Sequence, residues 1–535
     1  MTVDVGCIAR SALLGNTSWS CETGRCNGNG AVSMGTVDLL LQGFAVALQP
    51  VNLVFAFLGV LVGTVVGVLP GLGPISAVAL LIPVTFGMNP TTALIMMAGV
   101  YYGAMYGGST TSILLNTPGE SSSVVTTLDG YQLARQGCAG SALGVAAIGS
   151  FIAGTLGIVL MMVMAPSLAR LAISFGPPEY FSLMILGLVA AAGLSAETGV
   201  RGLISMVLGL MLATVGQDLQ TGVARFTFGN PELLDGIDFL VLALGLFAVS
   251  EVLWEASSRV LGERVQLQGS VYPTREDLRR SFPAMLRGGL LGFFLGVLPG
   301  LGASTSSFIA YAMEKRLSKN PEKFGHGAIE GVAGPESANN GAAAGALVPL
   351  LTLGLPGSGT TAVMLGALMM FGLQPGPLLI PNHPDLFWGL IASMYVGNVL
   401  LLILNLPLVR VFVKILDIPK ELLLPGVLVL SFVGVYALSN STLDLLMVIA
   451  FGALGFLMRV AKFPPAPMVL ALVLGPLLEQ SMRQALTISR GDPAIFVTRP
   501  VSAVLLAVAA LWLLYPVVGR LWKAARGQEQ AAGAA

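Results

Sequence analysis

The sequence predicts an all-α, polytopic membrane protein of two inverted-topology repeats, each with a re-entrant hairpin and a broken transmembrane helix. Three observations carry that prediction: an apolar composition, a heptapeptide that occurs twice, and an uneven distribution of arginine and lysine.

Of the 535 residues, 55% are hydrophobic and only 10% are charged, against about 25% charged in a soluble globular protein. Mean hydropathy is +0.84. Windows such as Leu53–Leu69, Ser141–Met164 and Phe181–Leu194 approach or complete the roughly 17–25 residues that a helical span needs. A soluble chain would have to expose large apolar patches to carry so much apolar surface. The formal net charge is +0, which gives no reason to expect nucleic acid. The 67 glycines and 31 prolines are scattered through apolar stretches rather than gathered in linkers. In lipid, a broken helix is tolerated where protein or a water-filled cavity satisfies the freed backbone groups. Breaks at this density point to a transporter or channel rather than a plain anchor.

Of four cysteines, Cys7, Cys21 and Cys26 lie near the start and Cys138 stands alone. The Cys21–Cys26 spacing matches no zinc or redox motif. Residues 1–33 are polar and lack the apolar h-region of a signal peptide. They read as a disordered extension or as sequence before a natural start at Met34. The remaining divisions are a first transmembrane repeat over 34–256, a basic cytoplasmic linker over 257–287, a second repeat over 288–519 and a cytoplasmic tail over 520–535.

The repeat rests on Gly67-Val-Leu-Pro-Gly-Leu-Gly73, which recurs letter for letter as Gly296-Val-Leu-Pro-Gly-Leu-Gly302, an offset of 229 residues. Each copy is followed by a second Pro-Gly element, Leu115-Asn-Thr-Pro-Gly-Glu-Ser-Ser122 and Gly354-Leu-Pro-Gly-Ser-Gly-Thr-Thr361. This second pair is offset by 238 residues, which also brings Gly103 and Gly107 onto Gly341 and Gly345. Paired Gly/Pro-interrupted apolar segments in corresponding halves are the best sequence pointer to a transport site.

Charge orients the chain. Residues 34–134 hold no Lys or Arg, whereas Arg259, Arg264, Arg275, Arg279, Arg280 and Arg287 cluster in the linker. Lys315, Arg316, Lys319 and Lys323 follow, and Arg520, Lys523 and Arg526 lie in the tail. The positive-inside rule makes these three regions cytoplasmic. Ala284–Met313 then reads as a hairpin entering from the cytoplasm, and Leu53–Phe86, without basic flanks, as one entering from outside. Four spans are expected between Arg135 and Ser257, and five after the loop Gln374–Asp385. Arg170, Arg225, Arg483, Arg490 and Arg499 fall outside and run against the bias.

At each break Gly permits φ > 0 and Pro fixes φ and frees backbone groups. The candidate substrate contacts are Asn116, Thr117, Pro118 and Gly119 in the first half. In the second half they are Asn339, Asn340, Ser358, Gly359 and Thr360. The hairpin tips, Pro70, Gly71, Gly73, Pro299, Gly300, Gly302 and Ser304, are candidates for ion coordination. No Lys or Arg lies in either Pro-Gly element, so an anion would be held by half-helix N-termini, backbone N–H groups and hydroxyls. Exposed carbonyls would suit Na⁺. Small residues also serve close helix packing, so a single Ser or Thr carries little weight beside the duplicated clusters. Glu120, Asp129 and Glu336 flank the breaks and read equally as coupling sites or as caps. Glu197 and Arg201 read as an ordinary ion pair, and the isolated His326 and His383 make poor metal ligands. No lysine follows a glycine, so there is no G-x-x-x-x-G-K-[ST] loop, and there is no H-E-x-x-H. The chain is read as a non-enzyme without cofactor.

Gly67–Gly73, the run Tyr101–Glu120, Asp129-Gly-Tyr131, Gly296–Gly302, Gly334-Pro-Glu-Ser-Ala-Asn-Asn340 and Leu353–Thr360 together resemble the large membrane subunit of the tripartite tricarboxylate transporters, the TctA family. The resemblance runs from about Met34 to the C-terminus. It implies a secondary transporter in the bacterial inner membrane, driven by a gradient of Na⁺ or H⁺. It also implies a small TctB-like membrane partner and a TctC-like periplasmic binding protein that delivers a carboxylate. Citrate is the name-giving substrate of the family, and the sequence does not select it. The alternative reading is a stand-alone carboxylate or anion transporter or channel that needs no binding protein. A membrane-embedded enzyme would require a converging acid/base set, which the sequence does not display.

Overall fold

The computed structural model describes residues 36–69, 73–193, 199–218, 220–257, 265, 267, 270–414 and 420–514. Several sequence expectations lie outside them: residues 1–33, Pro70, Gly71, Glu197, Arg259, Arg264 and the tail 520–535. The fold is helical apart from a two-residue antiparallel pair, Gly216–Gln217 with Ala224–Arg225. The first half comprises α1 (Thr36–Ala47), α2 (Pro50–Val68), α3 (Pro74–Thr85), α4 (Pro90–Leu115), α5 (Val124–Leu133), α6 (Ala139–Ala172), α7 (Pro177–Gly193), α8 (Gly199–Ala213) and α9 (Phe239–Ser257). The second half comprises α10 (Arg275–Val297), α11 (Gly302–Leu317), α12 (Glu330–Leu353), α13 (Gly359–Met370), α14 (Pro384–Asn405), α15 (Lys420–Ser439), α16 (Thr442–Val460), α17 (Ala466–Ile488) and α18 (Pro500–Leu514). Four helices thus follow Arg135 and five follow the loop near 374–385. Among the described residues, five helices are long and apolar enough to cross a bilayer, and seven shorter ones are apolar.

The two halves pack alike, and glycine makes the packing possible. Helix α2 lays Gly59, Gly63 and Gly67 against α4, where an added Cβ would lie 2.3–2.4 Å from the carbonyl oxygens of Met96, Val100 and Ala104. Helix α10 lays Gly288, Gly292 and Gly296 against α12, with Cβ positions 2.1–2.3 Å from the oxygens of Gly334, Ala338 and Ala342. Each second-half residue is the repeat partner of its first-half counterpart at the offsets read from the sequence. The contact is reciprocal: Gly103 and Gly107 meet Val60 and Thr64, and their partners Gly341 and Gly345 meet Gly289 and Phe293. Small residues let helix backbones approach this closely, and that approach is what drives helix association in lipid.

Helices α4 and α12 are enclosed by this packing. Every residue from Thr92 to Leu114 and from Gly331 to Thr352 is buried. Protein, not lipid, therefore surrounds the polar residues of both helices.

Three of the arginines that run against the charge bias are held by acids. Arg225 pairs with Glu479 at 2.9 Å, Arg483 with Asp218 at 2.7 Å and Arg499 with Glu179 at 3.7 Å.

Candidate functional site: a cavity at four helix N-termini

Both Pro-Gly elements are built to one plan. Helix α4 ends on Asn116 in the left-handed conformation (φ 54°, ψ 24°), and α12 ends on its repeat partner Gly354 (φ 70°, ψ 19°). After the Pro-Gly, a new helical segment starts at a capping box. Glu120 pairs with Ser123 in the first half, and their partners Ser358 and Thr361 do so in the second. The two cap residues share a backbone conformation, φ −146°, ψ 169° and φ −150°, ψ 169°. Each break is threaded under the hairpin of its own half: a Cβ at Gly119 would lie 2.5 Å from the Gly67 oxygen, and one at its partner Gly357 2.8 Å from the Gly296 oxygen. Gly300 N–H donates to the Gly357 carbonyl at 3.1 Å.

The breaks and the segments leading into α3 and α11 meet around one cavity of about 670 Å³. Four N-terminal ends contribute to its wall: Pro74–Ser76 of α3, Ser121 and Ser122 leading into α5, Ala303–Thr305 of α11, and Gly359 and Thr360 of α13. The two halves touch across it, Ser121 Oγ to Ser304 Oγ at 2.7 Å and Tyr101 OH to Ser358 Oγ at 3.4 Å. The first N–H groups of a helix have no intrahelical partner, and each helix start carries about half a positive charge. The cavity therefore offers convergent positive potential and neutral donors. Helices α9, α16 and α17 close the opposite side. There Arg459, the one Lys or Arg lining the cavity among the described residues, contacts Glu251 and lies 4.5 Å from the Trp254 ring centroid. Ser76 Oγ donates to the Phe247 carbonyl at 3.1 Å, within the π-turn Leu244–Val249. Such turns leave carbonyls outside the regular ladder and are frequent at functional sites.

A profile of the tripartite tricarboxylate transporter TctA family matches residues 53–470. The chain belongs to that family. As a TctA-family chain it is 51% identical over 478 residues to an uncharacterised 52.8 kDa protein in the TAR-I ttuC' 3' region of Agrobacterium vitis, covering 89% of this chain and 95% of that one. A second uncharacterised protein, from the TAR-II ttuC' 3' region of the same organism, is 50% identical over 223 residues, or 42% of this chain and 92% of that one. No solved structure matches.

Of the residues singled out by sequence, Pro118, Gly119, Ser358, Gly359, Thr360, Gly73, Gly300, Gly302 and Ser304 line the cavity of this TctA-family chain. Pro299 sits in the turn beside it. Asn116 is exposed at the end of α4, and Thr117 Oγ1 donates to the Leu115 carbonyl at 3.2 Å; neither is in the lining. Asn339 and Asn340 are buried behind it. Asn339 Nδ2 donates to Glu120 Oε1 at 2.8 Å, and Asn340 Nδ2 to Ser150 Oγ at 2.7 Å. Tyr101, Ser76, Glu251 and Arg459 line the cavity without having been singled out as site residues. For Glu251 and Arg459 a signal existed: each is an ionisable residue within a helix otherwise apolar enough to span a membrane, which is a functional hypothesis by default.

Proposed function

We propose that this chain is the large membrane subunit of a cation-coupled, binding-protein-dependent secondary transporter that takes up tricarboxylates or other carboxylates across the bacterial inner membrane. The observation that carries the reading is the convergence of four helix N-termini on one cavity rich in hydroxyls, which suits a carboxylate better than any cation. The duplicated packing supports two repeats. The charge distribution supports their opposite orientation, with the α2–α3 and α10–α11 hairpins re-entrant from opposite faces. A membrane potential opposes each inward negative charge by about 2.3 kcal/mol per 100 mV, so uptake of a multivalent anion needs several Na⁺ or H⁺. The small TctB-like subunit and the TctC-like binding protein complete the system.

The test is uptake of labelled citrate and succinate into proteoliposomes holding the chain with both partners, with and without imposed Na⁺ or pH gradients. Gradient-independent flux would overturn the coupled reading. Ser304→Asp places a carboxylate 2.7 Å from Ser121 at two of the N-termini. An anion held at those N-termini about 4 Å from the new carboxylate would be repelled by about 4 kcal/mol at an effective dielectric of about 20, so uptake should fall roughly tenfold or more. Ser304→Thr, which keeps the hydroxyl, should retain it. Equal uptake by Ser304→Asp would mean that the anion binds elsewhere.

Orientation has a native probe. Cys138 is exposed, and the proposed topology puts it on the cytoplasmic side. With Cys7, Cys21 and Cys26 changed to Ser, an impermeant maleimide should label it in inside-out vesicles and spare it in right-side-out ones. Leu378→Cys, exposed before α14, should show the reverse. Labelling of both positions from one face would sink the inverted arrangement.

A further inference from the structure

A cavity suited to an anion already contains a carboxyl group. Glu120 lines it at the position where the second repeat has the neutral Ser358. Its carboxyl accepts from Ser122 Oγ and from Asn339 Nδ2 at 2.8 Å. One turn of α12 away lies Glu336, fully buried, with Ser109 Oγ donating to Oε2 and Thr126 Oγ1 to Oε1. The two acids are neighbours on both helices that hold them. On α4, Glu120 packs over Gly108 and Glu336 bonds to the adjacent Ser109. On α12, Asn339, which holds Glu120, lies three residues after Glu336.

Neither acid has a Lys, Arg or His partner among the described residues. Of the charged and titratable groups on the elements around the pair, Tyr101 of α4 lines the cavity, as do Glu251 of α9 and Arg459 of α16, which contact each other. Arg287 of α10 and Glu314 of α11 pair together at 2.6 Å. Asp129 of α5 is held by Tyr311 and three backbone N–H groups. Helix α13 faces the cavity with hydroxyls.

Resting on the transport reading above, we propose that Glu120 and Glu336 are its coupling centre, a two-carboxyl site that takes up a proton when the anionic substrate enters. An anion at the helix N-termini and an ionised Glu120 would repel each other in a cavity walled by protein. A buried carboxylate without a cationic partner is costly, and protonation removes the cost. Binding of the anion and of the proton therefore favour each other by linkage. Both Glu336 oxygens already accept from hydroxyls, and among the described residues no third His, Cys, Asp or Glu joins the pair to form a metal-binding group, which favours a proton over a metal ion.

The test uses the complex with both partner subunits in proteoliposomes, with labelled citrate and succinate as probes. An inward pH gradient without Na⁺ should drive accumulation by the wild-type chain. Glu336→Gln should reduce that accumulation roughly tenfold or more, while substrate–substrate exchange persists and reports that the variant is folded. Glu120→Gln should likewise lose accumulation. In infrared spectra of the purified complex, adding citrate or succinate should raise a protonated-carboxyl band in the wild type and raise it less in each variant, a readout that needs no transport. Accumulation that follows a Na⁺ gradient and ignores pH would overturn the proposal and leave the transport reading standing, as would pH-driven accumulation retained by both variants. If the wild-type chain moves neither probe, the transport reading fails instead. The infrared band then decides whether the pair binds a proton, and its absence overturns the pair as well.

Discussion

Gly292→Val is expected to remove most of the protein from the membrane. A Cβ at this position would lie 2.1 Å from the Ala338 carbonyl oxygen and 2.6 Å from Ala338 Cα. Both atoms are helix backbone, so no side chain can swing aside. Relief requires α10 and α12 to separate along the seam that Gly288 and Gly296 also hold. Overpacking a core costs about 1–3 kcal/mol when side chains can adjust, and backbone-to-backbone overlap exceeds that range. Against a total stability of about 5–15 kcal/mol, such a loss leaves little folded protein. Gly63→Val, the repeat partner, meets the Val100 oxygen at 2.4 Å and should fail in the same way. The control is Gly73→Ala, where nothing lies within 4 Å of the new Cβ; it should resemble the unaltered chain. The measurement is the yield of detergent-extracted monodisperse protein and its thermal unfolding midpoint. Equal yields and midpoints for Gly292→Val and Gly73→Ala would show that the seam is not the structural spine of the fold.

That seam also marks how much was legible in the sequence. The heptapeptide and its 229-residue offset located the C-terminal ends of α2 and α10, and the 238-residue offset aligned Gly103 and Gly107 with Gly341 and Gly345. These glycines prove to meet equivalent carbonyls in the two halves. Repetition is readable because it constrains backbone, and backbone constraints fall on Gly and Pro. The side chains around the cavity were less readable. Asn116 and Thr117 belong to the most polar part of the first break, yet Asn116 occupies the left-handed helix end that Gly354 occupies in the second half. Its repeat partner being a glycine was a visible sign that the position is set by backbone conformation, since Asn tolerates φ > 0 better than most residues. Arg459 and Glu251 come from helices outside the repeated elements, and no periodicity brings α9 and α16 to the cavity. Only tertiary packing does.

Asp129→Ala should cost about 3–5 kcal/mol and free the loop before α12. Asp129 is 0% exposed. Its Oδ1 accepts from the N–H groups of Gly325, Gly327 and Ala328, each at 2.8 Å, and its Oδ2 from Tyr311 OH at 2.9 Å. Three backbone N–H groups converge on one oxygen because Gly325 and Gly327 take positive φ, 90° and 105°, forming a nest of the kind that binds anions. In this protein the anion is a side chain from the other half of the molecule. Of the two readings the sequence left open for Asp129, coupling site or cap, the geometry favours the cap: its Oδ1 is held by three backbone N–H groups, which can only donate, whereas the hydroxyls around Glu336 can also accept from a protonated carboxyl. Removing the carboxylate strands four donors, and an unmade buried hydrogen bond costs about 1–3 kcal/mol each before relaxation. Breaking a buried charged contact by deleting one partner typically costs 3–5 kcal/mol, which sets the expected size. Asp129→Asn keeps one acceptor for the nest but loses the charge, and should fall between the two. Hydrogen exchange read by mass spectrometry locates the effect: the amides of 325–328 should lose protection in Asp129→Ala while those of α2 and α4 keep theirs. Unchanged protection at 325–328 would mean that the nest is held by its own glycines and that Asp129 is not the tie between the two repeats.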